Sequence, residues 1–207
     1  MILKSDYQIL FNLSDDEINQ VVDIHMLTFK GFFLTFLGKG FLKTLYEGFS
    51  EHADSNILLL KKENTVVGFI AYSHKVGEFY KWLLRNKLLH FIWFSSIASI
   101  RNPKSSIRLI RALAYPSKNK NDDKYIEILS IGIHPDYKNK GFGSLLLKKI
   151  IEEEYSEDIQ YIRLTTDAVD NDLANAFYKK NDFKLYSTYV TPEGREMNEY
   201  RYYGEIK

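Results

Sequence analysis

The stretch Tyr125–Ile151 constrains this chain more than any other. Its first half, Tyr-Ile-Glu-Ile-Leu-Ser-Ile-Gly-Ile, alternates β-branched and smaller residues without a helical rhythm and runs into Pro135, which predicts a strand. Its second half places Leu145, Leu146, Lys148, Lys149, Ile150 and Ile151 on a helical repeat. Between them lies the loop Lys138-Asn139-Lys140-Gly141-Phe142-Gly143-Ser144. Its two glycines let the backbone turn sharply and leave N–H groups bare at the start of a helix. Bare N–H groups and the positive end of a helix dipole together receive phosphate oxygens. Strand, glycine loop and helix thus make a candidate diphosphate cradle.

Two glycines two apart are a weak motif alone. The dinucleotide fingerprint requires a third glycine three residues later, where Leu146 stands, and the Gly-Lys-Ser/Thr of a P-loop is missing. What Lys138-x-x-Gly141-x-Gly143 does resemble is the acyl-CoA signature of the GCN5-related N-acetyltransferase (GNAT) family, Gln/Arg-x-x-Gly-x-Gly/Ala. Lys138 replaces the usual Gln or Arg and still supplies charge. Further on, Asn171-x-x-Ala174-x-x-Phe177-Tyr178-x-x-x-Asp182-Phe183 resembles the family's second motif, Asn-x-x-Ala-x-x-Φ-Tyr-x-x-x-Gly-Phe. Asp182 stands for Gly at a helix end, where Asp can also adopt left-handed geometry. Both motifs in order, about 30 residues apart, are far more specific than either.

The resemblance covers roughly Tyr7 to Tyr203 and implies an α/β (α+β) fold: a mixed, mostly antiparallel central sheet flanked by helices. The residue pattern has the same order. Tyr7 to Leu13 is predicted as a first strand, and Ser14-Asp15-Asp16-Glu17 as a capping box for a helix running to about Thr28. A glycine-punctuated aromatic segment, Gly31 to Phe41, leads into a second helix carrying Leu42, Leu45, Tyr46 and Phe49. Ile57–Leu60 and Val66–Tyr72 form a hairpin turning at Glu63-Asn64. After the cradle come a strand over Ile159–Thr166, a helix starting at Asp170-Asn171-Asp172, and a closing hairpin of Phe183–Val190 and Met197–Gly204. The expectation is one acetyltransferase domain, 1–207.

Its large departure from the family is a helical insert at about 75–124, before the central strand. Loops that long are rarely structureless. Phe79, Trp82, Leu83, Leu88, Leu89, Ile92 and Trp93 predict one helix; Asn102-Pro103 breaks it and starts a second with Ile107, Ile110, Leu113 and Ala114 on its face. The insert holds eleven Lys or Arg against three Asp or Glu, a net +8 that leaves −7 for the rest of a chain of net charge +1. A helical hairpin, apolar side on the domain and basic side in water, is the simplest reading. A lid for an anionic substrate, a patch for an anionic membrane surface and the contact of a homodimer are the alternatives.

Composition excludes several classes. The absence of cysteine removes a disulfide framework and a thiol nucleophile. A net charge of +1 argues against a nucleic-acid-binding surface. The uncharged run Leu88–Ile100 has 13 residues, short of the ~20 that span a bilayer, so no transmembrane segment is expected. No basic-then-apolar leader opens the sequence, so a cytoplasmic protein is expected. The histidines show no metal-ligand spacing, so no metal is expected.

Acyl transfer from a thioester to an amine requires a neutral amine, a donor for the developing oxyanion and a proton for the departing thiolate. Glu127, eleven residues before Lys138, matches the general-base glutamate of the histone-acetylating branch. Alternation along the strand places Glu127, Leu129, Ile131 and Ile133 on one face. The resemblance implies that the Ile131 N–H polarises the thioester carbonyl, that Ile133 hydrogen-bonds the pantetheine arm and that Asn171 contacts it too. It also implies that Tyr178 is the general acid at the sulfur and that the 138–144 loop holds the diphosphate of acetyl-CoA. An ordinary ion pair for Glu127 and a core role for Tyr178 are the alternatives. The expected function is acetyl transfer from acetyl-CoA to a primary amine of a small molecule, for instance an anionic one or an amino sugar. A CoA-binding module without transfer activity, or an acetyltransferase acting on a protein amine, stays open.

Overall fold

The computed structural model describes residues 7–11, 13–101 and 124–204. Ser14 caps the first helix as the sequence predicts. The Glu17 N–H donates to the Ser14 hydroxyl, and the Ser14 N–H donates back to Glu17 Oε2 at 2.9 Å. That helix, α1 (Asp15–Thr28), is followed by a single turn, α2 (Phe33–Phe36), and by α3 (Lys39–Glu51). The hairpin β2 (Ser55–Lys62) and β3 (Thr65–Ser73) turns at Glu63, whose φ of 52° fits a tight reversal. Helix α4 (Val76–Arg101) precedes β4 (Tyr125–Ile133); a 3₁₀ turn (Pro135–Tyr137) then leads into α5 (Phe142–Glu154). Strand β5 (Tyr161–Asp167), helix α6 (Asp172–Lys180) and the hairpin of β6 (Lys184–Val190) and β7 (Glu196–Tyr202) complete the order.

With the short edge strand β1 (Gln8–Leu10), the strands form one sheet in the order β1-β2-β3-β4-β5-β7-β6. Among the described residues, only β4 and β5 are parallel; every other pair is antiparallel. The parallel pair is joined through α5, the crossover a parallel connection requires. On one face α1, α3 and α4 bury Val21, Phe41, Tyr46, Phe79 and Leu83 against the sheet. On the other, α5 and α6 bury Leu146, Leu147, Ile150 and Tyr178.

The first helix of the predicted insert is present as α4. Phe79 and Leu83 are fully buried and Phe91 nearly so, which makes α4 part of the core rather than an appendage. Its basic side faces outward, with Lys81 on Glu78 at 2.9 Å and Lys87 on Glu51 at 2.7 Å. The predicted second helix, with Ile107, Ile110, Leu113 and Ala114 and the basic Lys104, Arg108 and Arg111, lies outside the described residues. Among the described residues no helix is long and apolar enough to cross a membrane. The first strand pairs over Gln8–Leu10, against Leu59, Leu60 and Lys61, within the predicted 7–13.

One expectation about β4 is corrected. Ala71 of β3 faces Ser130, yet Tyr72 faces Ile128, so Leu129 is an extra residue in a β-bulge. The bulge reverses the alternation. Leu129 packs with the α1–α3–α4 core, whereas Ile131 and Ile133 pack with the opposite one, alongside Ile126 and Ile128. Glu127 and Leu129 therefore do not share a face with Ile131 and Ile133.

Candidate active site

The site follows from where β4 and β5 stop pairing. Their ladder runs from Tyr125–Tyr161 to Ile128–Leu164 and ends there. Past it, β4 stays with β3 to Ile133 and β5 stays with β7 to Asp167, so the two parallel strands part. The His134 N–H donates to the Val67 carbonyl at 2.9 Å, which makes Gly68–Ile133 a non-hydrogen-bonded pair. By the antiparallel alternation, Ile131 and Ile133 then turn their N–H groups away from β3, into the opening. Thr28 Oγ1 donates to the Ile133 carbonyl at 3.1 Å and fixes that end of the strand on α1.

A cavity of about 900 Å³ occupies this opening and extends to both faces of the sheet. On the α5–α6 side it is lined by the cradle: Lys138, Asn139, Gly141, Phe142, Gly143 and Ser144. Asn139 (φ 60°) and Gly141 (φ 85°) are left-handed, which bends the loop so that the first turn of α5 faces the cavity. No side chain caps that helix, so its first N–H groups stay available to an anion. Gly143 serves packing instead. A Cβ there would stand 3.0 Å from the Phe177 ring, so any larger residue would push that ring and α6 back by a few tenths of an ångström. Lys140 is not part of the lining. Its ammonium turns back to the Asp136 carbonyl at 2.7 Å, over the Tyr137 ring.

Gly141→Val should raise the dissociation constant for acetyl-CoA at least about tenfold, an effect of roughly 1.4 kcal/mol. A β-branched residue at φ 85° costs about 1–3 kcal/mol and tilts the N–H groups the cradle presents. Calorimetry giving equal affinity for wild type and variant would remove the cradle assignment.

Helix α6 holds the rest of this side. Asn171 Nδ2 donates to Thr166 Oγ1 at 2.6 Å, tying the helix start to β5. Asn175, which sequence reasoning passed over, anchors it further: its Nδ2 donates to the Asp167 and Asn171 carbonyls, and its Oδ1 accepts from Asn198 and Tyr200. Asp182 ends the segment at φ 65°, the geometry expected of a residue standing for Gly. Tyr178 lines the cavity with only 8% of its surface exposed. Its hydroxyl has no partner among the described residues and is not sealed from solvent, so it opens to the cavity. Burial pushes its pKa up.

Glu127 sits differently from the rest of the predicted set. It does not line the cavity; Oε2 accepts from Arg163 Nε at 2.9 Å, across the parallel β4–β5 register. Burial holds its pKa above the usual carboxylate range despite the Arg163 charge. On the α1–α3–α4 side the structure shows a cluster with no sequence signal. His25 Nδ1 pairs with the Tyr46 hydroxyl at 2.7 Å, and that hydroxyl with Ser130 Oγ at 3.3 Å, beside the bulge. Burial lowers the His25 pKa to about 4, so the ring is neutral. Around this trio Phe29, Phe41, Leu45, Phe49 and Tyr80 complete an apolar chamber.

The sequence profile of the Acetyltransferase (GNAT) family matches residues 19–183. The chain belongs to the GNAT acetyltransferases. GNAT enzymes transfer acetyl groups from acetyl-CoA. Solved structures share the fold. A protein from Desulfovibrio desulfuricans assigned to the GNAT family aligns at a TM-score of 0.64 and 11% identity, covering 95% of this chain and 98% of its own. The ribosomal-protein-S18-alanine N-acetyltransferase of Escherichia coli aligns at 0.57 and 14%, covering 97% and 98%. An acetyltransferase from Bacillus anthracis, crystallised with acetyl coenzyme A, aligns at 0.50 and 14%, covering 77% and 68%. No curated protein matches the chain. Among the described residues, no group of three or more His, Cys, Asp or Glu is placed to hold a metal ion.

Proposed function

We propose that this GNAT enzyme acetylates the primary amine of a small molecule by direct transfer within a single domain. The observation that carries the reading is the cavity itself: its lining includes the diphosphate cradle, Tyr178, the β4 bulge and the apolar chamber on the other face of the sheet. Acetyl-CoA supplies the acyl group as a thioester. The cradle loop 138–144 anchors its diphosphate, with Lys140 bracing the loop through the Asp136 carbonyl, and Asn171 and the Ile133 N–H hold the pantetheine arm along the strand opening. The Ile131 N–H donates to the carbonyl oxygen as charge builds on it, a contribution of about 3 kcal/mol for one such donor.

The amine nitrogen forms a bond to the carbonyl carbon, the carbon–sulfur bond breaks, and the nitrogen sheds one proton. Tyr178, whose pKa burial raises, holds its proton until negative charge appears on the sulfur, then gives it to the departing thiolate and regains one from solvent. Glu127 is the assigned base. Since it lies behind the lining and is bound to Arg163, it accepts the ammonium proton through water.

An amine panel incubated with acetyl-CoA, followed by release of free thiol, tests this. Amine-dependent thiol release with a mass shift of the small amine is expected. Acetylation confined to peptide N-termini or lysines would replace the acceptor class. Tight CoA binding with no transfer to any amine or peptide would make the protein a CoA-binding module.

A further inference from the structure

The chamber has a chemical character that its donor side lacks. Four charged residues line the cavity as a whole: Lys138 in the cradle, Lys180 on α6, and Asp167 with Arg195 at the strand ends. The last two neutralise one another through a two-pronged pair at 2.7 and 2.8 Å. Among the described residues, nothing charged lines the part under α1, α3 and α4. Its walls are aromatic and aliphatic. Of its polar groups, His25, Tyr46 and Ser130 form one hydrogen-bonded chain and Thr28 donates to the Ile133 carbonyl. His25 Nε2, without a partner among the described residues, and the Tyr80 hydroxyl stand among the aromatic walls; burial keeps the imidazole neutral.

From this lining we propose that the acceptor amine carries an uncharged, apolar body, an aryl or alkyl group, which fills the chamber while its nitrogen points to the bulge. This rests on the small-molecule reading above and narrows its substrate class. A buried ion without a counter-charge costs several kcal/mol, so a phosphate- or carboxylate-bearing acceptor has no place here. A sugar ring gives up the hydrogen bonds of several hydroxyls to water and finds few replacements here, because Tyr46, Ser130 and Thr28 are already engaged and His25 Nε2 offers a single site. An aryl group instead finds rings at Phe29, Phe41, Phe49 and Tyr80 that it can meet edge-on or stacked. The same dry surroundings favour the neutral form of the amine, which is the attacking form.

The test compares phenethylamine and hexylamine with glucosamine and glucosamine 6-phosphate as acceptors, with acetyl-CoA saturating. The apolar amines should show kcat/KM about 10²-fold higher. Leu45→Glu puts a carboxylate into the chamber wall and should erase that preference while calorimetric affinity for acetyl-CoA stays unchanged. If that variant fails to fold, Leu45→Ala, which only enlarges the chamber, should shift preference toward bulkier aryl amines. Faster acetylation of either sugar overturns the proposal and leaves the acetyltransferase reading intact. So does higher turnover of phenethylamine with octanoyl-CoA than with acetyl-CoA, since the chamber would then hold the acyl chain. A binding measurement covers the case in which no amine reacts. With CoA present, N-phenethylacetamide should raise the melting temperature and N-acetylglucosamine should not; the reverse order overturns the proposal without reference to turnover.

Discussion

Tyr178→Phe lowers kcat about 10²-fold or more and leaves acetyl-CoA affinity within about twofold. The size of the effect follows from what the substitution removes. The ring packs against Phe177, Phe183 and Tyr200, with centroids 5.3 to 6.2 Å apart, and a phenylalanine ring keeps all of that contact. Only the hydroxyl is lost, and it is the part that faces the cavity. In the ground state the thioester sulfur is a weak acceptor, so the hydroxyl contributes little to binding. In the transition state the sulfur carries developing negative charge, and the hydrogen bond strengthens accordingly. An effect on kcat without one on affinity is therefore the signature of a donor to the leaving group. Steady-state thiol release and calorimetry on both proteins check it. Full activity in Tyr178→Phe would return this residue to the core role that most buried tyrosines have.

The features legible in the sequence are those fixed by neighbours in the chain. Ser14 and Glu17 are three residues apart and cap α1 in isolation; the cradle from Lys138 to Ser144 is continuous; Phe177 and Tyr178 share one short helix whose N-cap is Asn171. Asp182 takes the left-handed turn that its place in the motif requires. What could not be read depends on distant parts of the chain meeting. The bulge at Leu129 is a property of the β3–β4 register, so alternation within β4 alone gives the wrong face for Ile131 and Ile133. His25, Tyr46 and Ser130 lie on three different elements and form one hydrogen-bonded unit only once α1 and α3 are laid on β4. The chamber's neutrality had no signal either. Its walls come from segments whose overall charge is mixed, and only packing decides which side chains turn inward. Arg163 is hidden for the same reason, since nothing in the spacing from Glu127 marks them as partners across a parallel pair.

Arg163→Leu destabilises the fold by about 3–5 kcal/mol at pH 8, roughly 10 °C in melting temperature for a chain of this size. The guanidinium is the hydrogen-bonded counter-charge of Glu127, and both side chains are only 12% exposed. It also stacks on the Tyr125 ring at 4.9 Å. Removing it strands a carboxylate in a site where burial, with the Glu199 charge adding to it, already raises the pKa. In the variant the folded-state pKa rises further, while the unfolded chain keeps a value near ~4.3. A raised carboxylate pKa means that the folded state holds the proton more tightly than the unfolded one. The penalty is therefore absent below the unfolded pKa and develops as pH rises through the folded one. The deficit of Arg163→Leu relative to wild type should be small near pH 4 and complete by pH 8, by thermal melts across that range. A deficit independent of pH would mean that lost packing, rather than a stranded charge, is responsible. Adding Glu127→Gln to the variant removes the charge and should recover most of the stability and flatten the pH profile. That double variant also separates the two roles open to Glu127. As an ion-pair partner alone, its removal together with Arg163 restores turnover along with stability. As the base, it leaves a stable enzyme whose turnover stays low at pH 7 and climbs toward high pH, where the amine is already deprotonated.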